Sequence, residues 1–72
     1  MTDDEDVQLA NALQHEIDYY SQPGGNAASA AAEQDWLNTA RLAVRSLRIP
    51  HPTEEQREAA RHTLKHTPPL RP

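Results

Sequence analysis

Apolar side chains recur every three to four positions over the first 21 residues, which is the spacing of a helix with one buried face. The pattern predicts a helix over residues 3–21, and the carboxylates at 3–6 favour its N-terminal end through the helix dipole. Thr2 and Glu5 have the spacing of a capping box, and Pro23 with the two glycines after it ends the helix. The buried stripe is predicted to consist of Leu9, Leu13, Ile17 and Tyr20.

A second amphipathic helix is predicted from Asn26 or Ser29 to Arg48, and Pro50 and Pro52 prevent it from continuing. Its apolar residues fill an arc of about 120°. The first helix is expected to pack antiparallel against this arc, because only a short turn separates the two segments. The larger residues expected in the core from this arc are Trp36, Leu37, Val44 and Leu47.

A shorter third helix is predicted over residues 53–66, opening with the capping-box pair Thr53 and Gln56. Its apolar face is poor, since it offers little beyond two alanines and Leu64. The Pro-rich residues 67–72 predict an extended, mobile tail. The fold class is therefore all-α: a small helical hairpin of two amphipathic helices plus a short third helix, forming one domain over residues 1–66 with an extended Pro-rich C-terminal tail at 67–72.

The apolar inventory is thin for an independent fold. In 72 residues there are eleven large aliphatic side chains, and eleven alanines that each bury little area. The chain has no cysteine, so neither disulfides nor thiolate metal sites can stabilise it. We expect it to gain stability by forming a homodimer or by docking on another protein.

Charge divides the chain into two halves. Residues 1–40 carry eight acidic residues and no Lys or Arg, whereas residues 41–72 carry seven basic residues and three acidic ones. The halves sum to −8 and +4, which gives the net charge of −4. Either packed helices neutralise one another or the basic half presents a contact surface. The four carboxylates at 3–6 are expected to lie too far away to neutralise seven cations.

The second helix carries the candidate contact surface. Arginines line one edge of its apolar arc, and two large aliphatic residues point nearly opposite to that arc. The arginines either form ion pairs with Glu16 and Asp18 of the first helix or form a docking edge for a partner. We favour the docking edge, whose predicted partner-binding residues are Arg41, Leu42, Arg45, Arg48 and Ile49.

Nucleic acid is an alternative partner, because basic faces occur on both the second and the third helix. The third helix contributes Arg57, Arg61 and Lys65 at intervals of four residues. An acidic first helix, a pI near 5.4 and a scarcity of aromatic residues argue against this alternative.

Metal binding is a weaker alternative, and catalysis is not expected. Glu58, His62 and His66 share one face of the third helix, and two His one turn apart suit zinc. An ordinary solvated helix face explains the same residues. The serines lie in no nucleophile elbow and the glycine pair is no phosphate loop, so neither enzyme activity nor a cofactor is predicted.

One further pattern covers about half of the chain and consists of Leu9, Ala10, Asn11, Tyr19, Tyr20, Gln22, Pro23 and Trp36. This pattern resembles the small delta subunit of NAD-dependent formate dehydrogenases. The basic motif and the glycine-rich link of that family are missing, so we do not assign the chain to it.

The function predicted from these features is non-catalytic protein binding, as an accessory subunit, an adaptor, or an inhibitor or regulator of a larger complex. The acidic start is unlike a secretory leader, and no apolar run reaches the length of a membrane span. A cytoplasmic location is therefore expected.

Overall fold

The computed structural model describes residues 3–72 and contains three helices: α1 (Asp3–Tyr20), α2 (Ala30–Leu47) and α3 (Glu54–Lys65). The all-α prediction is confirmed, with α1 and α2 forming the hairpin and α3 packed against both. The predicted Thr2–Glu5 capping box includes a residue outside the described range. None of the three described helices is long and apolar enough to cross a bilayer.

Side-chain caps fix where the second and third helices begin. Of the two starts predicted for α2, Ser29 is the one observed, and its hydroxyl accepts from the Ala32 N–H at 3.2 Å. At α3 the predicted capping box is complete. The Thr53 hydroxyl accepts from the Gln56 N–H at 3.1 Å, and the Gln56 side chain accepts from the Thr53 N–H at 2.8 Å. These caps satisfy amide groups that the first turn of a helix leaves unpaired.

The core lies where the three helices meet. Seven of the eight residues expected there are buried, and Leu13 is fully enclosed. The exception is Leu9, which is only partly buried. Leu9 lies where α1 meets α3. It is only partly covered because the apolar face of α3 is short and offers little more than Leu64 and the stem of Arg61 at this point. Alanine completes the core, because its small side chain lets the helices approach closely; the buried alanines are Ala10, Ala27, Ala40 and Ala60.

Trp36 joins the helical hairpin to α3. Its ring lies 5.3 Å from the ring of Tyr20 on α1, and its indole N–H donates to the Thr63 carbonyl of α3 at 2.8 Å. One side chain of α2 therefore contacts both neighbouring helices. The hydrogen bond also satisfies the single polar group of a Trp that is 8% exposed.

The C-terminal segment is not free of the helical domain. Its backbone pairs with the α1–α2 loop: the Ala28 N–H donates to the Pro69 carbonyl at 2.8 Å, and the Arg71 N–H donates to the Asn26 carbonyl at 2.9 Å. The Tyr20 hydroxyl donates to the Pro68 carbonyl at 2.9 Å, and Pro68 is buried. The expectation of a mobile tail is wrong because proline carbonyls still accept hydrogen bonds, and the loop supplies unpaired donors for them.

Leu13→Ala tests the helix packing. We expect it to lower the free energy of unfolding by about 2–5 kcal/mol, because it leaves a cavity at a fully buried site. Chemical denaturation measures the change. Leu42→Ala is the matched control, since Leu42 is 61% exposed and its truncation should alter stability little. Equal effects of the two substitutions would contradict the helix pairing.

Tyr20→Phe tests the docking of the tail. We expect a loss of about 0.5–1.5 kcal/mol in the free energy of unfolding, because the Pro68 carbonyl loses its donor. Amide exchange at Ala28 and Arg71 should accelerate in the same variant. Tyr19→Phe is the control, since Tyr19 is exposed. Unchanged exchange at both amides would show that the tail is held without this hydrogen bond.

Candidate functional site

The cations of α3 face the acidic start of α1. The Arg57 guanidinium forms two hydrogen bonds with the Asp6 carboxylate, at 2.8 Å from Nε to Oδ1 and at 3.4 Å from Nη2 to Oδ2. Asp6 is a buried carboxylate, with a side chain only 5% exposed. These hydrogen bonds raise the pKa of the Arg57 guanidinium above its ordinary value, against the opposing effect of desolvation.

Arg61 lies in a network of three carboxylates. Its guanidinium contacts Glu5 of α1 at 2.6 Å, and Glu58 and Glu54 of α3 at 3.1 and 3.2 Å. The hydrogen bond with Glu5 is the main reason that the pKa of Arg61 is also raised. The expectation that the carboxylates at 3–6 lie too far from the cations is therefore wrong for Glu5 and Asp6.

The arginines of α2 are in a different situation. Arg41, Arg45 and Arg48 are all exposed, and none of them forms an ion pair with any carboxylate that the structure describes. The Arg41 guanidinium donates one long hydrogen bond, 3.5 Å from Nη2 to Ser21 Oγ. The alternative pairing with Glu16 and Asp18 of α1 is not observed: neither carboxylate forms an ion pair with these arginines, and Asp18 accepts a hydrogen bond from Gln14 at 3.0 Å. We call these three side chains the basic ridge.

The basic ridge borders an open groove between α1 and α2 that no residue of α3 lines. We call it the front groove. Its basic end is lined by Gln14, Arg41, Val44, Arg45 and Arg48. Its apolar end is a surface cavity of about 350 Å³, lined mainly by Val7, Ala10, Leu47, Ile49, Pro50 and Pro52. Arg48 lines both ends, so the two adjoin at this side chain; Asp6 and Asn11 also line the apolar end.

All five predicted partner-binding residues are exposed, but they do not share one direction. Ile49, 44% exposed, lines the apolar end of the front groove, whereas Leu42, 61% exposed, points outward from α2 beside the basic ridge. Neither residue is covered by α3. The sequence reading missed Val7, which is 55% exposed and faces Ile49 across the groove. Val7 and Gln14 are seven residues apart, so both lie on the same side of α1. This spacing was the sequence signal that could have placed Val7 at the groove.

The candidate metal ligands on α3 are engaged elsewhere. The Glu58 carboxylate contacts Arg61, and the rings of His62 and His66 stack with centroids 4.2 Å apart. Within residues 3–72, no group of three His, Asp or Glu side chains is arranged to hold a metal ion.

Neither a family model nor a curated protein nor a solved structure matches this chain. The geometry of the chain itself therefore carries the functional argument, and the front groove is the candidate site.

Arg57→Gln tests the buried ion pair. We expect it to lower the melting temperature more than Arg61→Gln does, because it leaves the nearly buried Asp6 carboxylate without its partner. The carboxylates around Arg61 are 59–68% exposed and water can replace that guanidinium. In an Asp6→Asn background the effect of Arg57→Gln should shrink while that of Arg61→Gln persists. Additive effects of Asp6→Asn and Arg57→Gln would exclude the proposed coupling.

Proposed function

We propose that the chain is a non-catalytic protein-binding module, acting as an accessory subunit, adaptor or inhibitor, and that it docks through the basic ridge and the apolar end of the front groove. The single observation that carries the proposal is the contrast between its two sets of arginines. Arg57 and Arg61 are bound by carboxylates of the chain, whereas the basic ridge has no such partner among the described residues.

The surroundings of the basic ridge favour a protein partner. Arginine suits protein interfaces because its planar guanidinium binds carboxylates through two hydrogen bonds while its stem packs on apolar surface. Here the ridge adjoins exposed Val7 and Ile49, so apolar and charged contacts are available together. Interfaces of this kind bury an apolar centre and leave charged groups at the rim.

The same contacts lend less support to nucleic acid binding. That alternative needs two basic faces, and on α3 the guanidinium groups of Arg57 and Arg61 are turned toward Asp6 and Glu5. A net charge of −4 opposes approach to phosphates, and the chain has three aromatic residues other than His to stack on bases. Two of the three, Tyr20 and Trp36, are buried.

Arg41→Glu combined with Arg45→Glu tests the proposal by affinity capture from the native host, with the captured proteins identified by mass spectrometry. We expect the double variant to lose the partner while its melting transition stays close to that of the parent chain, because exposed arginines contribute little to folding. Lys65→Glu is the control, since Lys65 is an exposed cation on α3, away from the front groove.

A folded double variant that captures the same proteins as the parent would remove the basic ridge from the binding surface. Retention of nucleic acid by the parent, lost in the double variant and on adding salt, would favour the alternative partner.

A further inference from the structure

We infer that the front groove binds an amphipathic helix of another protein, with carboxylates along one face and a large apolar side chain at one end of that face. The inference rests on the proposed function and specifies the chemical character of the partner. It follows from how the molecule fills the other groove between the same two helices.

The helix α3 shows what such a groove accepts. It lies against α1 and α2 on the back of the hairpin, where it buries Ala60 and receives the indole hydrogen bond of Trp36. Its cations meet the carboxylates of α1, at 2.8 Å for Arg57 with Asp6 and 2.6 Å for Arg61 with Glu5. A helix with a small apolar face and matching charges is therefore sufficient to fill a groove of this hairpin.

The front groove has the opposite charge requirement. Its cations lie on the hairpin itself, so an occupant must supply the carboxylates. Arg41 to Arg48 spans about 10.5 Å, or two helical turns, along α2. Carboxylates at positions i, i+4 and i+7 of an occupying helix have the same spacing and lie on one face. The cavity between Val7 and Ile49 then takes an apolar side chain next to them.

A second copy of this chain meets that requirement poorly. In a dimer with a two-fold axis, the front groove of one copy would face the front groove of the other. Among the described residues, the one carboxylate that lines the front groove is Asp6, which is already hydrogen-bonded to Arg57. Three guanidinium groups would face amides and aliphatic side chains, so charge favours a more acidic partner.

The test uses a synthetic helical peptide of about 18 residues, or five turns. The peptide carries Leu one turn before Glu at positions i, i+4 and i+7, and a control peptide has Gln at the three Glu positions. Titrations are followed by the backbone amide signals of the isotopically labelled chain. We expect the acidic peptide to shift the signals of Val7, Gln14, Arg45 and Ile49, and to bind at least about tenfold more tightly than the Gln peptide.

Variants of the chain separate the two parts of the groove. Arg41→Glu with Arg45→Glu should weaken binding of the acidic peptide at least about tenfold, and a peptide with Lys at the three positions should bind this double variant instead. Ile49→Ser should also weaken binding. Leu42→Ser is the control, because Leu42 is an exposed aliphatic residue of α2, 61% exposed against 44% for Ile49, that lines neither end of the groove.

Three results would overturn the inference: no shift at the front groove, equal binding of the Glu and Gln peptides, or sedimentation showing a dimer that the Ile49→Ser variant dissociates. Capture of a host protein that depends on Arg41 and Arg45, together with no binding of the acidic peptide, would leave the proposed function intact and reject the helical acidic partner. Binding of the acidic peptide without any such capture would confirm the charge preference of the groove but reject the proposed function, and with it a helix of another protein as the natural occupant.

Discussion

The ion pair between Asp6 and Arg57 is the contact on which the arrangement of the molecule depends. A carboxylate with a side chain 5% exposed is costly unless it is paired, and Arg57 supplies two hydrogen bonds at once. In the observed placement of α3 on the hairpin, Arg57 reaches Asp6. That placement also brings Arg61 to Glu5 and Thr63 to Trp36. The ion pairs therefore determine the position of α3, whose apolar face is too small to do so.

The small core is sufficient for this fold because polar contacts cover its edges. The buried alanines allow close approach but contribute little burial each. The Asp6 ion pair covers the core near the N-terminal end of α1. The C-terminal segment covers the core near the other end of α1, where the Pro68 carbonyl accepts a hydrogen bond from Tyr20. The loop between α1 and α2 is held by Glu33, which accepts from the N–H groups of Asn26 and Ala27 at 3.2 and 3.3 Å. Each contact restrains backbone that a larger core would otherwise cover.

Local features of the sequence sufficed to predict the elements, and tertiary features did not. Helix periodicity and the caps at Ser29 and Thr53 are encoded within a few residues, so their prediction was correct. The docked tail depends on a loop more than forty residues away, as shown by the contact of Arg71 with Gly24. The pairing of Asp6 with Arg57 joins residues 51 positions apart. Because alternative pairings were equally compatible with the charges, spacing could not select these contacts.

The basic ridge gives the fold no evident benefit. Arg41 and Arg45 are one turn apart on α2, and like charges at this spacing oppose helix formation by about 0.2–0.5 kcal/mol. Pairing with Asp18 could relieve this repulsion, yet that carboxylate is bound to Gln14. An occupant that brings carboxylates to the front groove would remove the repulsion and cover Val7 and Ile49 together. Binding would then also stabilise the folded chain, because a ligand that binds only the native state shifts the folding equilibrium toward it.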